Sequence, residues 1–364
     1  MMKKHLFVLL ALLALVSCKE VKFQPRPALP LVHVLAADST GTARLVAQSG
    51  TRGGEGSIAI IGDPEAAILL ARRFQGSDRV DNIDGRPQRD SLPDFAGETF
   101  DVVMDACNAP YDHFLELDSL REIAVLNAVN AWDSLCWRSV TDTEPLLRKQ
   151  RAKMLIFTSA MQARWGVFDV DTLQQLCGGN CPVLSPVHSM LDQAYAAGAR
   201  SLAVWTSRNV RDSGAWQEVF GQKGYADAHL TVLAPESALD IRTELRNLLR
   251  QYRETGRVLD ALLIDSYTAD LSPLRSELDL IHHEGTDENA AFQAMLSPDF
   301  FLVDPLSSLV GTTYALMRER QMFSHQIAWP AIHYYETAAS DEGAALLVET
   351  SASYAINTYV PNRY

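Results

Sequence analysis

The chain has 364 residues, 47% hydrophobic and 21% charged, ordinary for a globular protein and long enough for one large or two medium domains with a substantial core. It carries 32 Lys and Arg against 45 Asp and Glu, a net charge of −13, with no basic cluster. Phosphate backbones are gripped by concentrated positive charge, so this balance excludes a nucleic-acid binder, and its simplest consequence is solubility.

The first element in chain order is a targeting segment. Lys3 and Lys4 precede an apolar run from Leu6 to Val16, which closes on Leu15-Val16-Ser17-Cys18. This pattern predicts a lipoprotein signal peptide over residues 1–17, cleavage before Cys18 and acylation of its thiol. The run is shorter than the ~20 residues that span a bilayer. A plain secretory signal with a chance cysteine is the alternative. The mature chain is then expected in the cell envelope, on the periplasmic or surface face, held to a membrane by its lipid. Its charge becomes −15, since residues 1–17 contain Lys3, Lys4 and no acid.

Cys107, Cys136, Cys177 and Cys181 remain, an even number in an oxidising compartment. Cys177-Gly-Gly-Asn-Cys181 suits a loop closed by a local disulfide, with buried free thiols as the alternative. No second Cys/His pair follows at zinc spacing, and the three-residue gap differs from that of thioredoxin-type motifs.

Residues 18–56 read as a lipid-anchored tether. Within it Pro30-Leu-Val-His-Val and Ala43-Arg-Leu-Val-Ala flank Asp38-Ser-Thr-Gly41, a hairpin pattern, and Gly53-Gly-Glu-Gly56 gives a flexible link. From Ser57 short apolar runs alternate with helical stretches. Strands are expected at 57–62, 100–106, 153–158, 182–187, 201–207, 229–234, 259–265 and 300–303. Helices are expected at 64–74, 113–137, 169–176, 189–197, 213–222, 237–255, 272–282 and 307–320. This alternation predicts an α/β protein of two parallel-sheet lobes with an interlobe cleft. The first lobe is 57–181, with 295–321 returning to it; the second is 182–284; 322–364 is an aromatic C-terminal tail. Ligands bind beyond the carboxyl ends of parallel strands. Those ends carry Asp63, Asp105, Thr158-Ser159, Thr206-Ser207 and Asp265-Ser266. Helix capping produces the same pattern at any one of them.

No Gly-rich nucleotide loop, phosphate-binding loop or Gly-x-Ser-x-Gly elbow occurs, so no cofactor is expected. No metal is expected either: His282-His283-Glu284 reads as a solvated helix end, because adjacent helical histidines point apart.

Several of these segments resemble glutamate racemase and the wider aspartate/glutamate racemase superfamily. Cys181-Pro-Val-Leu-Ser-Pro-Val resembles the strand opening that family's second domain. Ala203-Val-Trp-Thr206 followed by Ser213-Gly214-Ala-Trp216 resembles its strand-Thr and Ser-Gly-x-Tyr, with Trp216 in the tyrosine slot. Asp105-Ala-Cys-Asn-Ala-Pro110-Tyr111 looks like its Asp…Pro-Tyr-Gly loop, with Asp112 replacing the glycine. Gly62-Asp63-Pro64 stands at its Asp-Ser-Gly, and Phe301-Leu-Val-Asp304-Pro305 resembles its late Ile-Asp-Pro strand.

The resemblance implies a two-lobed fold and inversion of a carbon next to a carboxylate by two thiol bases. The thiol motifs, however, read Phe157-Thr158-Ser159-Ala160 and Asp265-Ser266-Tyr267-Thr268 here. Phenylalanine takes no proton, and serine has a far higher pKa than a thiol. Asp63, Asp265 and Ser266 are therefore the candidate catalytic residues of a degenerate site; Cys107 is better explained as a structural or disulfide cysteine, with a relocated thiol as the alternative. Pro110, Tyr111, Thr158, Ser159, Ser207 and Asn209 are the candidate ligand-binding residues. The expected partner is a small carboxylate or amino-acid-like, cell-wall-related ligand, bound by a non-catalytic or repurposed protein. The alternatives are an active, cofactor-independent racemase or isomerase with non-cysteine bases, and a periplasmic solute-binding lipoprotein.

Overall fold

The computed structural model describes residues 26–351 except 40, 50–53, 83, 114–115, 148, 236–239, 268–269 and 340–344. The signal segment, Cys18, Thr268 and the last tyrosines Tyr354, Tyr359 and Tyr364 lie outside the described residues.

Two sheets carry the fold. The first contains six strands: β1 Ser57–Gly62, β2 Thr99–Met104, β5 Ala152–Phe157, β6 Val183–Leu184, β11 Ala331–Ala339 and β12 Ala345–Thr350, in the order β12-β11-β2-β1-β5-β6. The second holds β7 Ser201–Trp205, β8 His229–Leu233, β9 Leu259–Ile264 and β10 Leu296–Val303, in the order β10-β9-β7-β8. Every pairing within them is parallel except β11 with β12. A separate antiparallel pair, β3 Leu135–Cys136 and β4 Leu146–Leu147, follows the helix Leu117–Trp132.

The central strands are largely apolar because both faces are covered, with Ser57, Asp101 and Lys153 as buried polar exceptions. In β1 the two-residue period sends Ile58 and Ile60 into one cluster and Ala59 and Ile61 into another. β5 divides the same way, Met154 and Ile156 against Leu155 and Phe157. The helices Pro64–Gln75 and Pro305–Glu319 cover the first face; Leu117–Trp132 and Gly166–Cys177 cover the second. The second cluster continues into the other lobe through Val187, Met190, Leu191 and Ala194 of the helix Pro186–Ala196, an i, i+3, i+4, i+7 stripe.

Several sequence expectations need correction. The 30–47 hairpin is two helices, Pro30–Ala37 and Thr42–Ala47. Proline suits a first helical turn, and Leu29 and Val32 fall three apart on a buried face. These residues dock on the first lobe rather than forming a loose tether. Asp169 Oδ1 accepts from the Leu29 amide at 3.1 Å, and the Arg121 guanidinium donates to the Pro27 carbonyl at 2.7 Å.

The short strand Val183–Leu184 belongs to the first sheet, so the second lobe begins only with the helix after it. Leu296–Val303 completes the second sheet, and within 295–321 it is the helix Pro305–Glu319 that returns to the first lobe. The aromatic tail folds back onto the first lobe, where β11 lies parallel to β2 from Ala331↔Thr99 to Glu336↔Met104. The helix Asp287–Gln293 was not anticipated. Cys107, Cys136, Cys177 and Cys181 form no disulfide, so the expected Cys177–Cys181 bridge is absent. Burial pushes the Cys181 thiol up to about 12.

Candidate functional site

Three strand ends of the first sheet are locked side by side. The Thr158 amide donates to the Ile61 carbonyl and the Asp105 amide to the Gly62 carbonyl, each at 2.9 Å. Glycine is required at 62 because a Cβ there would stand 1.8 Å from Thr158 Oγ1. This edge sets Asp63, Asp105 and Thr158-Ser159 in a row. In the second sheet the Asp265 amide donates to the Trp205 carbonyl at 2.9 Å, aligning Thr206-Ser207 with Asp265-Ser266.

The two edges face one cleft of about 280 Å³. Asp63, Pro110, Tyr111, Thr158, Ser159, Ser207, Asp265 and Ser266 all line it, together with Glu65, Asp112, Thr206 and Tyr267. Asn209 is not among the lining residues; it is exposed on the short helix Arg208–Ser213. Cys107 is also elsewhere: its amide donates to Thr337 Oγ1 at 3.1 Å and its thiol to the Thr337 carbonyl at 3.3 Å. Phe157 is fully buried in the core, on the face of β5 away from Ile156.

The polar groups at the strand ends divide into two kinds. Ser159 accepts from the Met161 amide and Ser207 from the Val210 amide, so both cap the helices they precede. Their hydroxyl protons remain able to donate into the cleft. Asp63 stands at the N-cap of Pro64–Gln75 yet makes no side-chain cap hydrogen bond. Its Oδ1 is buried without a hydrogen-bond partner. Burial, and then the negative charges of Asp112 and Asp105, raise its pKa to about 7.

Asp265, in the other lobe, accepts from Thr206 Oγ1 at 2.7 Å and Trp216 Nε1 at 2.9 Å. Burial raises its pKa against these two bonds, which favour the ionised form. Tyr267 has a buried hydroxyl with no hydrogen-bond partner. Burial and the carboxylates of Asp265 and Asp63 hold it well above the ordinary phenol value.

Tyr111 is fixed from behind. Its hydroxyl donates to Asp105 Oδ2 at 2.7 Å, and the fully buried Asp105 also accepts from Asn108, Asn127 and Thr337. Burial and Asp105 push the Tyr111 hydroxyl far above its usual range. Sequence reasoning missed Asn127 and Thr337 in this support, and Asp112, Glu65 and Tyr267 in the cleft wall. Tyr267 had a signal, its position directly after Ser266 at a strand end; Thr337, in the presumed tail, had none.

No protein-family model matches the sequence, and no curated protein matches it. Among solved structures the fold is similar to a glutamate racemase from Bacillus anthracis at 11% identity, over 78% of this chain and 90% of that one, with a TM-score of 0.47. It is similar to the glutamate racemase of Francisella tularensis in complex with D-glutamate at 12% identity, over 80% and 91%, with a TM-score of 0.48. An aspartate racemase homologue from Pyrococcus horikoshii is similar at 12% identity, over 72% and 99%, with a TM-score of 0.42. The likeness is one of fold.

Proposed function

We propose that this chain is a cell-envelope lipoprotein whose interlobe cleft binds a small amino-acid-like or carboxylate ligand without two-thiol racemisation. The observation that carries the reading is Asp63. A carboxylate at an N-cap position ordinarily satisfies its own helix; this one does not, and its buried free oxygen belongs to the wall of the cleft that Asp265 also lines. Ser159 and Ser207 supply hydroxyl donors at the same edge. No cysteine is among the described residues lining the cleft. The anchor rests on the sequence pattern of Lys3, Lys4, the apolar run and Leu15-Val16-Ser17-Cys18: Cys18→Ala should abolish fatty-acid labelling in cells, and an unlabelled wild-type protein would remove the anchor.

A second reading has one observation in its favour. With a pKa near 7, Asp63 falls in the range that suits a general base at neutral pH. An active isomerase would use it to take a proton from the ligand carbon.

Proton exchange separates the two. The D- and L-forms of alanine, lysine, glutamate and aspartate incubated with the protein in deuterated water should keep their α-protons, while saturable shifts of cleft resonances show which of them bind. Deuterium incorporation that disappears in Asp63→Asn would establish the isomerase and overturn the binding-only reading.

A further inference from the structure

We infer that the cleft selects its ligand through a positively charged amine, so that the occupant is a primary ammonium compound with no net negative charge. The inference rests on the proposed binding role of the cleft and adds the charge class of its ligand.

The argument begins with an inventory of the wall. Asp63, Glu65, Asp112 and Asp265 line the cleft, and no Lys, Arg or His is among the described lining residues. Buried Asp105 lies close enough behind Asp63 for its charge to raise the Asp63 pKa. A dicarboxylate entering this cleft meets like charge from both lobes, with the neutral hydroxyls of Ser159, Ser207 and Tyr267 as its side-chain donors. An ammonium group meets opposite charge from both lobes.

The acceptors are also built for a donor. Asp63 leaves a buried oxygen unpartnered, and the Tyr267 hydroxyl is buried and unpartnered while close enough to sense both Asp63 and Asp265. Buried acceptors without partners are costly, and an ammonium group brings three donors to satisfy them. The remaining titratable group of the wall, Tyr111, already donates its proton to Asp105. Basic side chains occur in an adjoining hollow of about 420 Å³, which shares Ser266 and Tyr267 with the cleft and holds Arg73 and Arg275. Asp270 and Asp304 line the same hollow, so its two arginines are matched by two carboxylates.

Trp216 provides the readout, because its indole N–H donates to Asp265 inside the site. The full chain, labelled at the tryptophan indole nitrogens, is titrated with 1,4-diaminobutane and, separately, with glutarate. The diamine should shift the Trp216 indole resonance saturably and glutarate should not. Asp63→Asn should weaken the diamine at least tenfold, while Asp299→Asn, at an exposed position on β10, should leave it unchanged. An undisturbed Trp216 resonance in the unliganded variants shows that both fold.

Saturation by glutarate without the diamine would overturn the amine inference and leave the binding role standing. Diamine binding that survives Asp63→Asn, or equal binding of both probes, would overturn it as well. Silence from both probes and from the amino-acid panel would remove the binding role itself.

Discussion

Thr337 donates its hydroxyl proton to Asp105 Oδ1 at 2.8 Å across 232 residues of sequence. The bond ties β11, near the end of the described chain, to the carboxylate that holds Tyr111 in the cleft wall. Asp105 accepts four side-chain donors and is fully buried, so its loss leaves several groups unsatisfied at once. Asp105→Asn should destabilise the protein by about 3 kcal/mol in urea unfolding, and Thr337→Val by about 1 kcal/mol. Deleting residues 331–364 removes both strands that extend the first sheet beyond β2, and should leave no cooperative transition. A deletion variant that unfolds like the full chain would show that the tail is dispensable.

The N-terminal segment is fastened by a second buried group. Arg121 Nε meets Asp169 Oδ2 at 2.6 Å, with the side chains 4% and 0% exposed, and the same pair holds the Pro27 carbonyl and the Leu29 amide. Removing one partner of such a pair leaves an uncompensated buried charge. Arg121→Met should therefore cost about 3–5 kcal/mol. It should also raise hydrogen exchange in the helices Pro30–Ala37 and Thr42–Ala47 before the rest of the lobe. Uniform loss of protection would show that this segment is not separately fastened.

What the sequence made legible follows from where its information is local. Ser57–Gly62, Ala152–Phe157 and Leu259–Ile264 are nearly continuous apolar runs, and their ends mark the two sheet edges, so Asp63, Ser159 and Ser266 could be placed at the cleft from sequence. The difference between a cap and a free carboxylate could not be read. Ser159 turns its oxygen to its own helix and Asp63 does not, a matter of side-chain rotamer rather than of residue type. Pro30-Leu-Val-His-Val offered strand-like residues, and burial of Leu29 and Val32 against Asp169 and its helix decided for a helix. Asn127 and Thr337 reach Asp105 from 22 and 232 residues away, beyond any local pattern.

The tail strand carries a pH-sensitive contact. His333 and Asp101 are register partners in β11 and β2, and the His333 imidazole stands 3.4 Å from the buried Asp101 carboxylate. The Asp101 carboxylate beside it raises the His333 pKa above 6.5, against partial burial. A base with a raised folded value stabilises fully below its unfolded pKa and loses that contribution as pH rises through the folded one. The urea midpoint of the wild type should therefore fall from pH 6 towards pH 8 relative to His333→Gln. An imidazole titration at or below 6.5 would contradict this. With the side chain 48% exposed, the effect is small.

Asp63 gives a larger dependence at the cleft itself. Its pKa rises from 3.8 to about 7, chiefly through burial. A carboxylic acid with a raised folded pKa is most comfortable when protonated, so its contribution is intact below the unfolded value of 3.8 and is lost as pH climbs through about 7. Above that pH the folded protein holds a buried carboxylate with one unpartnered oxygen. Asparagine removes this penalty. Asp63→Asn should therefore be more stable than wild type at pH 8, by up to about 4 kcal/mol. The difference should shrink below pH 7 and vanish near pH 4. The same substitution should weaken the diamine, the pattern expected where a strained group is retained for binding rather than for stability. Parallel urea denaturation at pH 4, 6 and 8 measures the first part, and the Trp216 titration measures the second. A variant less stable than wild type at pH 8 would mean that the Asp63 carboxylate is satisfied in the folded protein.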